Sequence, residues 1–539
     1  MLLDERLRRP DIMRIPSGQS FVSNLLPGRD RLVAFSLPLL LLAACASPAE
    51  KAAEQAAIAQ RLFDAGNYTA ARTYIGKALS YGGDNAEILL LDARIKARLS
   101  DLRGAYDAYR TVLVFQPDNL EALSSVAQIG AMMGEKDVVR DAIRRGLAID
   151  PSNSELLLTA GVVELQDSDF PAAMRLADRI LSANPGDPRG LALKARALTQ
   201  TGRGGEALEL LRAQIAQTGN NSMIAGALLE TARAEGQPAV MIEQFPVLIE
   251  AMPQSVDLAL DEINVRYKVG DREGARYAAR DFIAKFGAQA DAMARLLDMW
   301  EEYDPTPLGA DDLAQIAASG AIEARLAVAR FYFDRGDLAA AQALVADSPD
   351  LRAAGLGARI QIRRGEPGGL QAAGRVISTD DTNCEALTAM AEWNLGQGKI
   401  DAAVIPAQVV ATQCRDRIDG FLILMDAYQR ANRAPAVERV SRDGISAHPL
   451  DARLTSRFAD WLLKRGRGEA AVAAARRLTT VAPSRESSWR VLASVCQRAG
   501  NSVCAGDAAR GLARAKTIYQ IDPLPGVRPP DPLFGRTWR

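Results

Sequence analysis

Histidine is the side chain best suited to moving protons near neutral pH, and this chain has one, His448. A Ser-His-Asp triad therefore has a single possible base, and a His-rich zinc site cannot be built. His448 stands directly before Pro449, where a helix has to stop, so it reads as a helix-terminal surface residue. No Gly-x-x-x-x-Gly-Lys loop, His-Glu-x-x-His pair or Gly-x-Ser-x-Gly elbow occurs. Gly202-Arg203-Gly204-Gly205 has the composition of a phosphate loop but falls at a turn between two helical patterns, which makes it structural. The expectation is a non-enzyme, with no catalytic residue, no metal ligand and no cofactor. With 65 basic against 66 acidic residues and a net charge of −1, no overall field draws in nucleic acid or an anionic membrane surface.

Cysteine carries the remaining chemistry. Arg29 and Arg31 precede an apolar run from Leu32 to Leu42, which closes on Leu42-Ala43-Ala44-Cys45. A charged stretch, a short apolar stretch and a small-residue cleavage site make an export signal. About 13 apolar residues are too few to cross a hydrocarbon core that needs roughly 20. The closing tetrapeptide resembles the lipobox of bacterial lipoproteins, and that resemblance implies cleavage before Cys45 and acylation of it. Several acyl chains on one cysteine anchor stably, so the membrane is met through the lipid alone. Ala46 stands where an aspartate signals inner-membrane retention in the enteric sorting rule, which favours an outer-membrane anchor facing the periplasm. Residues 1–28 are polar and dotted with Pro and Gly, unusual for a signal, and Met13 is an alternative start.

The rest of the chain must be several domains or a stack of repeats, since 539 residues exceed one compact core. Hydrophobic residues make up 48% but aromatics 5%, which suits helices packed through small side chains. Self-similarity at 34 residues settles the choice for a stack. Units begin at Ala52, Ala86, Leu120, Ser154, Pro188, Ser222 and Val256 without a gap. Position 8 carries Ala59, Ala93, Ala127, Gly161 and Ala195; position 20 carries Ala71, Ala105, Val139, Ala173, Ala207 and Ala275. Small residues there let two helices approach. Position 32 reads Pro117, Pro151, Pro185 and Pro253, with Gly83, Gly219 and Gly287 in the other units, and both residue types end a helix. A second block in register starts at Cys384, Ile418, Ala452 and Glu486, with Pro449 and Pro483 at position 32.

This pattern resembles the tetratricopeptide repeat (TPR) consensus, and the resemblance implies an all-α, right-handed solenoid of helical hairpins. Between the blocks, 94 residues stand where three units would take 102, interrupted by Asp304-Pro305-Thr306-Pro307-Leu308-Gly309. Reading three shortened units there gives about fourteen in all and a bend in the superhelix. The expected organisation is a signal region 1–44, a lipidated tether 45–51, a first block 52–289, a degenerate stretch 290–383, a second block 384–518 and a Pro-rich tail 519–539.

Beyond Cys45 an even four cysteines remain in an oxidising compartment. Cys384 and Cys414 fall at the start of the first helix and the end of the second in one unit, which antiparallel packing brings to the same end. Cys496 and Cys504 flank the turn of the last unit. Disulfides 384–414 and 496–504 are one reading, and four thiols buried as small apolar residues are the other.

In TPR proteins the first helices line a groove, and positions 2, 5, 9 and 12 share one helix face. Position 9 runs Gln60, Arg94, Gln128, Val162, Arg196, Glu230 and Asn264, then Glu392, Asp426, Asp460 and Ser494. This predicts a groove basic toward the anchor and acidic beyond the middle, against the alternative of a merely solvated face. The carboxylate clamp of chaperone-cofactor TPR domains needs Lys and Asn at positions 5 and 9, whereas Ala56 with Gln60 and Leu90 with Arg94 stand there. The expectation is a periplasmic scaffold that binds protein partners in envelope assembly, such as pilus, secretion or polysaccharide-export machinery. Lipoproteins of tight-adherence pilus loci are similar in plan. The competing class is an enzyme or accessory subunit acting on envelope polymers.

Overall fold

In the computed structural model, residues 47–522 are described, apart from 83–84 and 415–416. The signal region, Cys45, Gly83 and the tail beyond Asp522 lie outside them. The described residues form twenty-eight α-helices and no strand, that is, fourteen consecutive helical hairpins in a TPR-type solenoid.

The repeat is written in its caps. Asn85, Asn119, Asn153, Asp187, Asn221 and Ser255 close six successive 34-residue units, and each side chain accepts a backbone N–H from the first turn of the helix that follows. Each such cap contributes about 1 kcal/mol. The helices they start begin at Ala86, Leu120, Ser154, Pro188, Ser222 and Val256. In the second block Asn383 and Asp451 cap the helices that begin at Cys384 and Ala452 in the same way.

The turn inside each hairpin is as regular. Position 15 has a positive φ in thirteen of the fourteen hairpins, at ten glycines from Gly66 to Gly500 and at Ser100, Ser168 and Asn432. Glycine adopts that conformation without a steric penalty, and a short polar side chain tolerates it. Gly202, in the stretch that looked phosphate-like, is one of these turn residues at φ 74°.

The eighth hairpin departs from this rule. Helices Ala290–Tyr303 and Ala310–Ala318 are joined by Asp304–Gly309, and Asp304 at position 15 is extended, at φ −142°. Its carboxylate is buried and accepts from Arg276 at 2.8 and 3.0 Å and from the Thr306 backbone N–H at 3.2 Å. The two hairpins that follow start at Ile322 and Leu351. Three short second helices, Ala310–Ala318, Leu338–Val345 and Gly369–Thr379, account for the missing residues.

The small residues of the pattern sit where helices touch. Ala59, Ala93, Ala127, Ala71, Ala105, Ala391 and Ala403 are all fully buried. In the last hairpin Ala493 and Ala505 are only half-buried, and among the described residues no further repeat stacks on them. A solenoid repeat ordinarily touches its neighbours alone. This one also closes on itself: Asn264 Nδ2 donates to the carbonyl of Tyr519 at 2.9 Å across 255 residues of sequence, and Arg453 and Arg485 pair with Glu301 and Asp298, each at 2.9 Å.

Candidate functional site

The position-9 row divides in two. Toward the N-terminus it is tied up between repeats: Arg94 is bidentate on Glu121 of the next unit, and Arg196 lies 3.3 Å from Glu230. Gln60 donates to Asp64 one turn on, at 2.7 Å, and Gln128 is also engaged. The basic character read along this stretch is thus matched by carboxylates of adjoining repeats. Asn264 is buried and faces the C-terminal segment.

Beyond the middle, Glu392, Asp426 and Asp460 line one cavity of about 950 Å³. Every described residue of its wall belongs to the first helix of one of five successive hairpins, Leu351–Arg363, Cys384–Gly396, Asp419–Arg430, Ala452–Lys464 and Glu486–Arg498. Leu395, Leu422 and Ser456 come from positions 12 and 5 of those helices, beside the position-9 acids. The wall is not simply acidic, since Arg359, Arg363, Arg430, Arg453 and Arg457 also form it, with Trp393, Ile423 and Val491 between them. Asp426 pairs with Arg457, and Asp460 with Arg498 of the last hairpin.

A buried ionic cluster forms the floor of one end. Arg359, 3% exposed, donates to Glu392 at 2.6 Å and to Asp419 at 2.9 Å, and lies 3.5 Å from Glu385. Its guanidinium also covers the Phe333 ring at 4.5 Å. Glu385 is paired in addition with Arg330 and Arg417, and Arg417 reaches Asp419 at 2.8 Å. Burial alone raises the Glu385 carboxyl, but Arg417, Arg330 and Arg359 outweigh it and hold it at about 2. Burial likewise raises Asp419, and Arg417 and Arg359 hold it well below the usual carboxylate range. A charge taken out of water persists only when paired and hydrogen-bonded, and here side chains from four successive hairpins supply those partners.

Position 9 is occupied by Arg330 and Arg359 in the two middle hairpins, so the row continues through the degenerate stretch. A strict 34-residue frame skips them, but Gly336 and Gly365, each at position 15 with positive φ, recover the register. Cys384 and Cys414 are joined as a disulfide with Cα atoms 6.0 Å apart, and Cys496 and Cys504 as another at 5.6 Å. The first ties the segment carrying Glu385 to the one leading into Arg417, whose backbone N–H donates to the Cys414 carbonyl at 3.0 Å.

His448 ends helix Ala434–Ala447 and lies edge-on to Phe421 at 5.9 Å, outside the cavity wall. Among the described residues no group of three or more His, Cys, Asp or Glu is placed to hold a metal ion. No helix among them is long and apolar enough to cross a membrane.

A tetratricopeptide repeat family model matches residues 164–230. No curated protein sequence matches the chain. Among solved structures, a tetratricopeptide repeat protein from Parabacteroides merdae is similar at 17% identity, covering 42% of this chain and 91% of its own, with a TM-score of 0.38. The type IV pilus biogenesis factor PilW is similar at 20% identity over 38% of this chain and 94% of its own, TM-score 0.33. Pseudomonas aeruginosa pilF is similar at 16% identity over 39% and 95%, TM-score 0.32.

Proposed function

We propose that the chain is a non-catalytic scaffold, held at the outer membrane by lipid on Cys45 and facing the periplasm, whose last five hairpins grip a protein partner during envelope assembly. The observation that carries this reading is the cavity, an open trough whose described wall residues all lie on first helices of five hairpins. Its mixture of arginines, carboxylates and apolar surface suits a folded or extended polypeptide, with charge fixing orientation and apolar contact supplying affinity. The chain's one histidine lies outside the wall, so no imidazole base faces a substrate there. The lipobox-like Leu42-Ala43-Ala44-Cys45 supports the anchor and the compartment, and a pilus, secretion or polysaccharide-export apparatus is the setting that such a tethered adaptor fits.

Two experiments test it. Cys45→Ser should leave an unprocessed precursor and abolish labelling by a fatty-acid analogue; unchanged labelling would remove the anchor. A photo-crosslinking residue at Ser456, in the trough, should capture a discrete partner in cells. The same residue at exposed Thr480, on the second helix of that hairpin, should not. Equal capture from both positions would place binding elsewhere.

A further inference from the structure

One stretch of the first-helix face is already filled, and by the chain itself. Helix Val256–Lys268 presents Asn264 at position 9 and Lys268 at position 13. Lys268 Nζ donates to three carbonyls, those of Ser484 at 2.8 Å, Ala515 at 2.8 Å and Ile518 at 2.6 Å. Asn264 donates to the next carbonyl, Tyr519. Burial pushes the Lys268 ammonium down, while Glu302, Glu486 and Asp522 pull it up. The segment that follows the last helix is irregular, and it is held as a ligand is held. Tyr519 packs on the core cluster that contains Leu258 and Val265, and Ile521 on the cluster that contains Leu260 and Ile263. Asp522 accepts from the backbone N–H and hydroxyl of Ser484.

We propose that Thr517–Asp522 is an internal ligand, and that the Asn264–Lys268 face is a peptide-binding site whose external occupant is an extended polypeptide of the pattern aromatic-x-aliphatic-acidic. Two of these four carbonyls, Ile518 and Tyr519, lie in the segment, and donors directed at them read a main chain regardless of sequence, while the two apolar seats and the Ser484 donors read alternate side chains and the acid. The external peptide competes with a tethered one whose effective concentration is of millimolar order. Binding therefore displaces residues 517–522 from the middle of the solenoid, and the cost of that displacement reciprocally sets the affinity. The inference rests on the scaffold reading only in taking the external occupant to be a protein.

The test uses the full mature chain and a labelled peptide, Thr-Ile-Tyr-Gln-Ile-Asp, copied from residues 517–522. Wild-type protein should bind it weakly. The Tyr519→Ser, Ile521→Ser variant, whose own segment no longer competes, should bind it about ten-fold tighter or more. Adding Lys268→Ala and Asn264→Ala to that variant should abolish the gain. Equal affinity across all three proteins, or none in any, overturns the proposal.

If the serine variant does not fold, wild-type protein gives the answer. Trypsin cleavage after exposed Lys516 should accelerate several-fold with saturating peptide and stay unchanged with a scrambled peptide. No acceleration, or equal acceleration by both peptides, overturns the proposal. These results are read separately from crosslinking at Ser456, which probes the trough and not the Asn264–Lys268 face.

Discussion

Glu385 and Arg417 form an ion pair inside the protein, their side chains 1% and 5% exposed. Folding lowers the Glu385 carboxyl from 4.5 to about 2, so the folded state binds its proton less readily than the unfolded chain does. The stability this contributes is complete above pH ~4.5 and is lost as the pH falls toward 2. A shift of that size corresponds to about 3 kcal/mol. Denaturant titrations from pH 6 down to 2.5 should show this loss. In Glu385→Gln the slope over that interval should flatten, and stability at pH 6 should fall by about 3–5 kcal/mol, because three arginines lose the negative charge they share. An unaltered acid slope would mean that the cluster does not govern acid stability.

The disulfide between Cys384 and Cys414 closes a sequence separation of 30 residues beside that cluster. In a chain-entropy account such a cross-link stabilises by about 3–4 kcal/mol. A thiol assay on denatured, unreduced protein should find none of Cys384, Cys414, Cys496 and Cys504 free. Cys384→Ser with Cys414→Ser should lower the denaturation midpoint. Four reactive thiols would show instead that these cysteines serve as small buried side chains.

The hairpin count and nearly every first-helix start could be read from the sequence, because caps, turns and interhelical alanines recur at fixed positions and each follows from local physics. Predicted starts at Leu120 and Pro188 coincide with the first helical residue. The start at Ala52 does not, because Ser47 and Glu50 form a capping box that begins the helix at Pro48. The site was less legible. Arg94 and Arg196 look like free cations along a row, but their partners Glu121 and Glu230 come from the next repeat, and such pairing depends on inter-repeat geometry. The roles of Arg330, Arg359 and Lys268 are hidden in the sequence for related reasons. Two sit in shortened units outside the 34-residue frame, and the third acquires its role from a segment that only closure of the superhelix brings near.

Close helix approach makes a paired prediction on glycines. At Gly420 a Cβ atom would lie 2.4 Å from the backbone nitrogen of Ala411 and 2.8 Å from the carbonyl oxygen of Ala407, so two helices must separate to admit it. Gly226, inside helix Ser222–Ala234, has nothing within 4 Å of that position. Gly420→Ala should destabilise by about 1–3 kcal/mol, and Gly226→Ala should stabilise by about 0.5–1 kcal/mol through helix propensity. Thermal melts of both variants decide it; loss of stability in both would show that helix 222–234 is packed more tightly than its surroundings indicate.

The position-9 row makes the last prediction, which separates stapling from binding. Arg94 and Glu121 are each 38% exposed, and Arg196 and Glu230 are 25% and 42% exposed; partly solvated pairs of this kind contribute at most about 1 kcal/mol each. Arg94→Ala with Arg196→Ala should therefore cost little stability, and should leave crosslinking from Ser456 unchanged because neither residue touches that trough. Asp426→Ala with Asp460→Ala should also cost little, since both carboxylates sit in partly exposed pairs, yet it should weaken capture from Ser456 several-fold. Ala127→Leu behaves differently from both, because Ala127 is fully buried and overpacking there costs about 1–3 kcal/mol. Measuring stability and crosslinking in parallel on these variants distinguishes the roles. Loss of capture in the arginine pair with none in the aspartate pair would move the binding surface to the first block.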